Sequence, residues 1–335
     1  MDFQVYFEAV KVLFSGQNPY LSLLTMPGPF NYPPTVFLFI SFFQDKMFFD
    51  ILSAMSFFIA IFLLTKKRLL ISIILFIIFN FSYFPYKFNF GMGQINNFIL
   101  LFIILSYYYN PFFLSYAVGI KLVPIIYLLY YLIIKDYKNI FLVILFICSL
   151  FLLSLFVVPW EFQKVYFQDV FFRALAGGGK EVYYNQSLAG FLSRANLQIL
   201  FYPFSFLFIF ITWYKARKLK VDRVFASVTC LMLLLNPIAW QHHFVVAIIP
   251  LILLFKEDKL IVTLAYLFLA WNFKRPEIVG AEVNIILSHQ FLGTFMLWIL
   301  AIFEKNTRRI LPILYALTIL FIYLSAILCR GNICF

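Results

Sequence analysis

Charged side chains are scarce in this chain: Asp, Glu, Lys and Arg make up 12% of its 335 residues, against 64% hydrophobic. A soluble domain carries about a quarter charged residues. There is too little polar material here to cover a water-facing surface, so a soluble fold is excluded. Cysteine is also sparse, with four: Cys148, Cys230, Cys329 and Cys334. The first two lie inside apolar runs and read as inert packing residues. The last two are close enough to form a small disulfide in the C-terminal segment, or to remain thiols. No Cys/His spacing resembles a metal site. No removable signal peptide opens the chain, because the first apolar helix carries Gln4, Glu8 and Lys11. Internal repeats, and the inverted repeats common in transporters, are not detectable.

What the chain does have is apolar runs: 47–65, 69–84, 97–109, 111–121, 122–134, 139–158, 197–214, 224–235, 242–255, 260–272, 288–303 and 310–328. The expected fold class is therefore an all-α polytopic membrane protein of about twelve membrane segments, several too short to face lipid alone. The formal net charge is +12, but its distribution argues against nucleic acid. The basic residues cluster between the runs, at Lys66-Lys67-Arg68, Lys135 with Lys138, Lys215 to Arg223, Lys256 with Lys259, and Lys305 with Arg308-Arg309. If every cluster is cytoplasmic, the runs alternate without conflict. That side then holds 15 Lys/Arg and 5 Asp/Glu, and the rest of the chain 11 and 9. The bias orients the protein. Residues 33–44, opened by Pro33-Pro34, are expected not to span. In residues 2–15, Gln4, Glu8, Lys11 and Ser15 form one polar stripe, the pattern of an interfacial amphipathic helix. The long irregular segments 1–46, 85–96, 159–196, 236–241 and 273–287 then collect on the non-cytoplasmic face of a cell-membrane protein, and long loops carry function.

Those outer segments hold an ordered series of polar, Pro and aromatic motifs. They are Asp2-Phe-Gln-Val-Tyr6, Gly16-Gln-Asn-Pro-Tyr20, Tyr32-Pro-Pro34, Gly93-Gln-Ile-Asn96, Gly119-Ile-Lys121 with Pro124, Asn185-Gln-Ser-Leu188 with Arg194, and Asn236-Pro-Ile-Ala-Trp-Gln-His-His243. Polar residues at membrane depth are costly and tend to mark a site. No single motif is specific, but the order and spacing resemble glycosyltransferase family 87, over roughly residues 2 to 255. The resemblance implies a GT-C-like helical bundle forming one integral membrane domain, 1–335. It would comprise outer juxtamembrane helices (1–46), a catalytic half (47–158), an outer loop (159–196) and C-terminal helices (197–335). It implies a hexosyltransferase that uses a polyprenyl-phosphate mannose donor, with a glycan or glycolipid acceptor, membrane lipids as surroundings and no cofactor. The family places a transmembrane helix before the acidic motif, which here begins at residue 2. The first helix is thus missing from this chain, and the expectation is an upstream start; an inactive truncated homologue is the other reading.

Transfer of a sugar from a lipid phosphate to a hydroxyl needs a base for the acceptor proton and groups that stabilise the departing phosphate. Asp2 matches the family's acidic position and is the base candidate; otherwise it is a helix cap. Lys121 and Arg194 are the donor-phosphate candidates, with snorkelling and headgroup anchoring as their plain alternatives. No metal is needed if fixed cations do that work. Tyr6, Tyr20, Tyr32, Gln94, Asn185, His242 and His243 are the candidate sugar or acceptor contacts. Asn185-Gln-Ser187 is also a glycosylation sequon. Gly177-Gly178-Gly179 reads as a loop hinge or a plain connector. A lipid or solute transporter or flippase, and a non-catalytic scaffold, remain the rival readings, disfavoured because only Asp50 and Lys121 place charge within apolar runs.

Overall fold

A computed structural model of the protein describes residues 2–21, 29–43, 45–176, 182–272 and 287–303. The glycine triplet, the last apolar run and the two C-terminal cysteines lie outside the described residues. Among the described residues the chain is helical and has no strands, and it divides into two compact units, 1–77 with 87–178, and 78–86 with 179–335.

The first unit begins with α1, Asp2–Phe14. Gln4, Lys11 and Ser15 are exposed, while Phe3, Tyr6, Ala9 and Leu13 are buried. That is the one-sided pattern expected of an amphipathic helix. Pro33 adopts an extended conformation and Pro34 opens a 3-10 turn, leaving α2 only Phe37–Ile40. A ring locked near the helical φ starts a turn well but forbids extension backward. Next come α3, Lys46–Leu64, capped by the Asp45 carboxylate on Phe48 N, and α4, Leu69–Ser82, and α5, Phe84–Met92, which meet at 76°. These two carry the chain from one unit to the other and back. α6 (Asn96–Tyr108), α7 (Phe112–Ile120), α8 (Leu128–Ile133) and α9 (Tyr137–Ser154) follow, with α10, Trp160–Val165, and α11, Phe171–Ala176. α6 packs between α3 and α7, and α7 against α9. Phe37, Phe49, Phe57, Ile95, Leu100 and Ile103 are fully buried among them.

The second unit contains α12 (Leu188–Arg194), α13 (Phe201–Ala216), α14 (Val221–Leu235), α15 (Ile248–Leu254), α16 (Lys259–Ala270) and α17 (His289–Ile302). α17 lies against α14 and α16, over a core that includes Phe225, Phe244 and Phe268. Small residues allow the approach: a Cβ on Gly293 would sit 2.9 Å from Ala265 O.

Three helices among the described residues are long and apolar enough to cross a membrane, or up to four if the bent α4–α5 pair is one span. Two of them, Tyr137–Ser154 and Gln198–Ala216, keep only 17% of their apolar window buried, which leaves Phe141, Leu152, Phe206 and Phe210 facing outward as a lipid-contacting surface requires. The other apolar runs among the described residues fold as helices of 17 residues or fewer, broken by Pro, polar residues or 3-10 turns. Three expectations need correction. The 85–96 segment is not irregular, because α5 runs through it. Most of the described part of 159–196 is helical as well; Gln163 anchors α10, donating to Val158 O at 3.0 Å and Ser154 Oγ at 3.2 Å. Cys148 is exposed on α9 rather than packed, whereas Cys230 is buried.

Candidate functional site

In the first unit, residues far apart in sequence converge at the start of α1. Gly93, at φ +66°, turns the chain after α5 against Phe3; a Cβ there would stand 2.7 Å from Phe3 Cβ. Only glycine accepts both the backbone and the approach. The turn delivers Gln94 to Asp2, and Gln94 Nε2 donates to Asp2 Oδ2. Gln94 Oε1 accepts from Tyr6 Oη at 3.1 Å and Tyr32 Oη at 3.4 Å, and the two phenol oxygens are 2.7 Å apart. The Tyr-Pro-Pro segment holds Tyr32 in place. Behind it the Tyr20 hydroxyl donates to Tyr32 O at 3.1 Å, and the Tyr20 ring packs on Phe30 and Tyr166.

Lys121 enters the same place from the end of α7. Its extended backbone, φ −153° and ψ 124°, breaks the apolar run before the 3-10 turn that carries Pro124. Nζ lies 5.8 Å from the Tyr32 ring centroid and donates to Asn96 Oδ1 at 3.3 Å. Asn96 Nδ2 in turn donates to Asn89 Oδ1 at 2.9 Å. Thr35 in the 3-10 turn donates to Gly119 O and ties the Pro-Pro segment to the end of α7. Burial pushes the Asp2 carboxyl above its ordinary range, opposed by the Gln94 hydrogen bond and the Lys121 charge. Burial also raises Tyr6 and Tyr32, which keeps both as neutral donors. A carboxylate with an amide N–H on one oxygen can take a proton from a hydroxyl, and a nearby lysine in its charged form can hold a neighbouring anion.

Asn185, Arg194, His242 and His243 belong to the second unit. Asn185 has no exposed surface. Its Oδ1 accepts from Ser187 Oγ at 2.9 Å and Ala239 N at 3.0 Å, and its Nδ2 donates to Pro237 O at 2.9 Å. An antiparallel bridge pairs it with Trp240. Asn-Gln-Ser and Asn-Pro-x-x-Trp are thus one stitched structure, and a buried Asn185 is closed to glycosylation in the folded protein. Arg194 donates to Val182 O at 3.0 Å, Asn185 O at 2.8 Å and Ser288 Oγ at 2.7 Å. Burial lowers its pKa to about 10, so it stays charged at neutral pH. His243 Nδ1 accepts from Trp240 N at 3.0 Å, which assigns the ring proton of its neutral form to Nε2. The His242 ring stands edge-on to Trp240, 5.8 Å away, and is buried, whereas Trp240 is 40% exposed.

A model of glycosyltransferase family 87 matches residues 30–237, more than half of the chain. The chain belongs to glycosyltransferase family 87. No protein of curated function and no solved structure matches it. With its long apolar helices, this family member is a membrane glycosyltransferase, and such an enzyme acts on a sugar donor and an acceptor. The family match takes in Tyr32, Gln94, Lys121, Asn185 and Arg194 and does not reach Asp2, Tyr6, Tyr20, His242 or His243.

Within this glycosyltransferase the candidate sugar contacts divide by exposure. Tyr6, Tyr20 and Gln94 are each 3% exposed and their groups are engaged inside the unit, while Tyr32 is half-buried. Sequence reasoning missed Asn89 and Ser288. The available signal was polarity: Asn89 is an amide inside an aromatic helix, and Ser288 opens a polar Ser-His-Gln run at the mouth of an apolar one.

Proposed function

We propose that this glycosyltransferase moves a hexose, mannose by its resemblance, from a polyprenyl-phosphate donor to a hydroxyl of a glycan or glycolipid at the non-cytoplasmic face of the cell membrane. The observation that supports it most is the meeting of Asp2, Gln94, Tyr32 and Lys121 in one cluster. In this reading Asp2 takes the acceptor's O–H proton as that oxygen bonds to the anomeric carbon. The bond from that carbon to the phosphate oxygen breaks, and the phosphate leaves with the electron pair. Lys121 in its charged form supplies positive charge for the departing phosphate, and the half-buried Tyr32 receives the sugar. The positive-charge bias supports the orientation.

The test is transfer from radiolabelled polyprenyl-phosphate mannose to membrane glycolipids, with Asp2→Asn and Lys121→Met. Both variants should lose transfer by at least about a hundredfold while remaining folded. Undiminished transfer by Asp2→Asn removes the base assignment, and no transfer by the wild-type chain favours a transporter or an inactive homologue. Cysteines at Phe90 and Ile238 should react with impermeant reagent from outside, and one at Lys218 only from inside. The opposite labelling overturns the orientation.

A further inference from the structure

The side chain of Gln94 is almost wholly buried, and both ends of its amide are engaged. Nε2 donates to Asp2 Oδ2, and an ionised carboxylate can only accept. That contact fixes which end of the amide is nitrogen. The oxygen end then faces two phenols that hold one proton each and lie 2.7 Å apart. Either phenol can donate to the other, and in both arrangements the second donates to Gln94 Oε1 while Gln94 donates to Asp2. Every dipole in the chain points its positive end toward the carboxylate, and aligned hydrogen bonds strengthen one another at low dielectric. An amide does not pass protons, so this is an orienting chain and not a proton wire. Among the described residues the charged side chain that faces Asp2 is Lys121, whose ammonium form favours the carboxylate.

We propose that Gln94 is a positioning residue: backed by Tyr6 and Tyr32, its amide holds the Asp2 carboxylate ionised through Oδ2 and leaves Oδ1 to receive the acceptor's proton. This rests on Asp2 acting as the base. It takes Gln94 out of the sugar-binding set and turns the buried phenols into support for the base.

The test is the pH profile of transfer by the full chain in proteoliposomes, with radiolabelled polyprenyl-phosphate mannose as donor and a membrane glycolipid extract as acceptor. Gln94→Leu should move the acid limb of kcat/KM upward by about one pH unit, the effect of removing one donor from an ionised carboxylate. Most activity should return at high pH, with donor KM unchanged. Tyr6→Phe, which removes one oxygen, should shift the limb the same way by less, and it carries the test if Gln94→Leu does not fold. A uniform loss at every pH with the limb unmoved means that Gln94 is merely structural and overturns the proposal. A raised KM with kcat intact means that it binds substrate, and does the same. An active Asp2→Asn protein removes the underlying base assignment instead, so the two failures are distinguishable.

Discussion

Replacing Arg194 by alanine should loosen the second unit and leave donor affinity alone. Arg194 is 9% exposed, and its guanidinium bonds to two carbonyls and a hydroxyl from two places in the chain, the Val182–Asn185 turn and Ser288. Removing it strips a charged donor from each of these acceptors. An orphaned buried acceptor costs about 1–3 kcal/mol, and relaxation recovers part, so the loss should be about 3–5 kcal/mol. That is a large share of the roughly 5–15 kcal/mol that holds a domain folded. Lysine keeps the charge but cannot reach three acceptors from one nitrogen, so Arg194→Lys should lose an intermediate amount. The measurement is thermal unfolding of detergent-solubilised protein, monitored by gel filtration, together with the donor KM of the folded fraction. An Arg194→Ala protein with a wild-type melting temperature and a donor KM raised about tenfold or more would refute the clasp and make Arg194 a phosphate ligand.

Three other perturbations follow from the geometry. Gly93→Ala must place a Cβ 2.7 Å from Phe3 Cβ at φ +66°; it should push α1 away from Gln94 and cost about 1 kcal/mol or more of stability, with transfer falling further than the melting temperature explains. Gly190→Ala puts a Cβ 2.2 Å from Asn185 O. Because the obstacle is backbone, the variant should run as aggregate on gel filtration, and a monodisperse, active protein would contradict the packing. The third concerns pH. Burial raises the Asp2 pKa, and a base works only when ionised, so transfer should rise with pH along a limb above the ordinary carboxylate value of about 4. A rate that stays flat from pH 4 to 7 counts against Asp2.

How much of this could be read from the sequence varies by residue. The stripe of Gln4, Glu8 and Lys11 already announced a one-sided helix, because helical periodicity is local. The Pro33-Pro34 break and the Gly119-to-Pro124 break were equally local, since proline acts on its own backbone. Gln94 was legible as an important amide but not in its role: its partners are Asp2, 92 residues away, and Tyr32, 62 residues away. Asn185 and Arg194 were legible as unusual polar residues beside an apolar run. Their purpose was not, because Pro237, Ala239 and Ser288 reach them only in the folded second unit.

Composition alone made this a membrane protein, since 12% charge cannot solvate a globular surface. Motif order alone placed it in its family, because each motif is a short string carried in the chain. Burial and hydrogen-bond partnership depend on what the fold brings within about 3 Å, and these only the tertiary structure decided. They tied Asp2 to Gln94 and the tyrosines, left Tyr32 half-buried, and put Asn185 and Arg194 to work holding the second unit together.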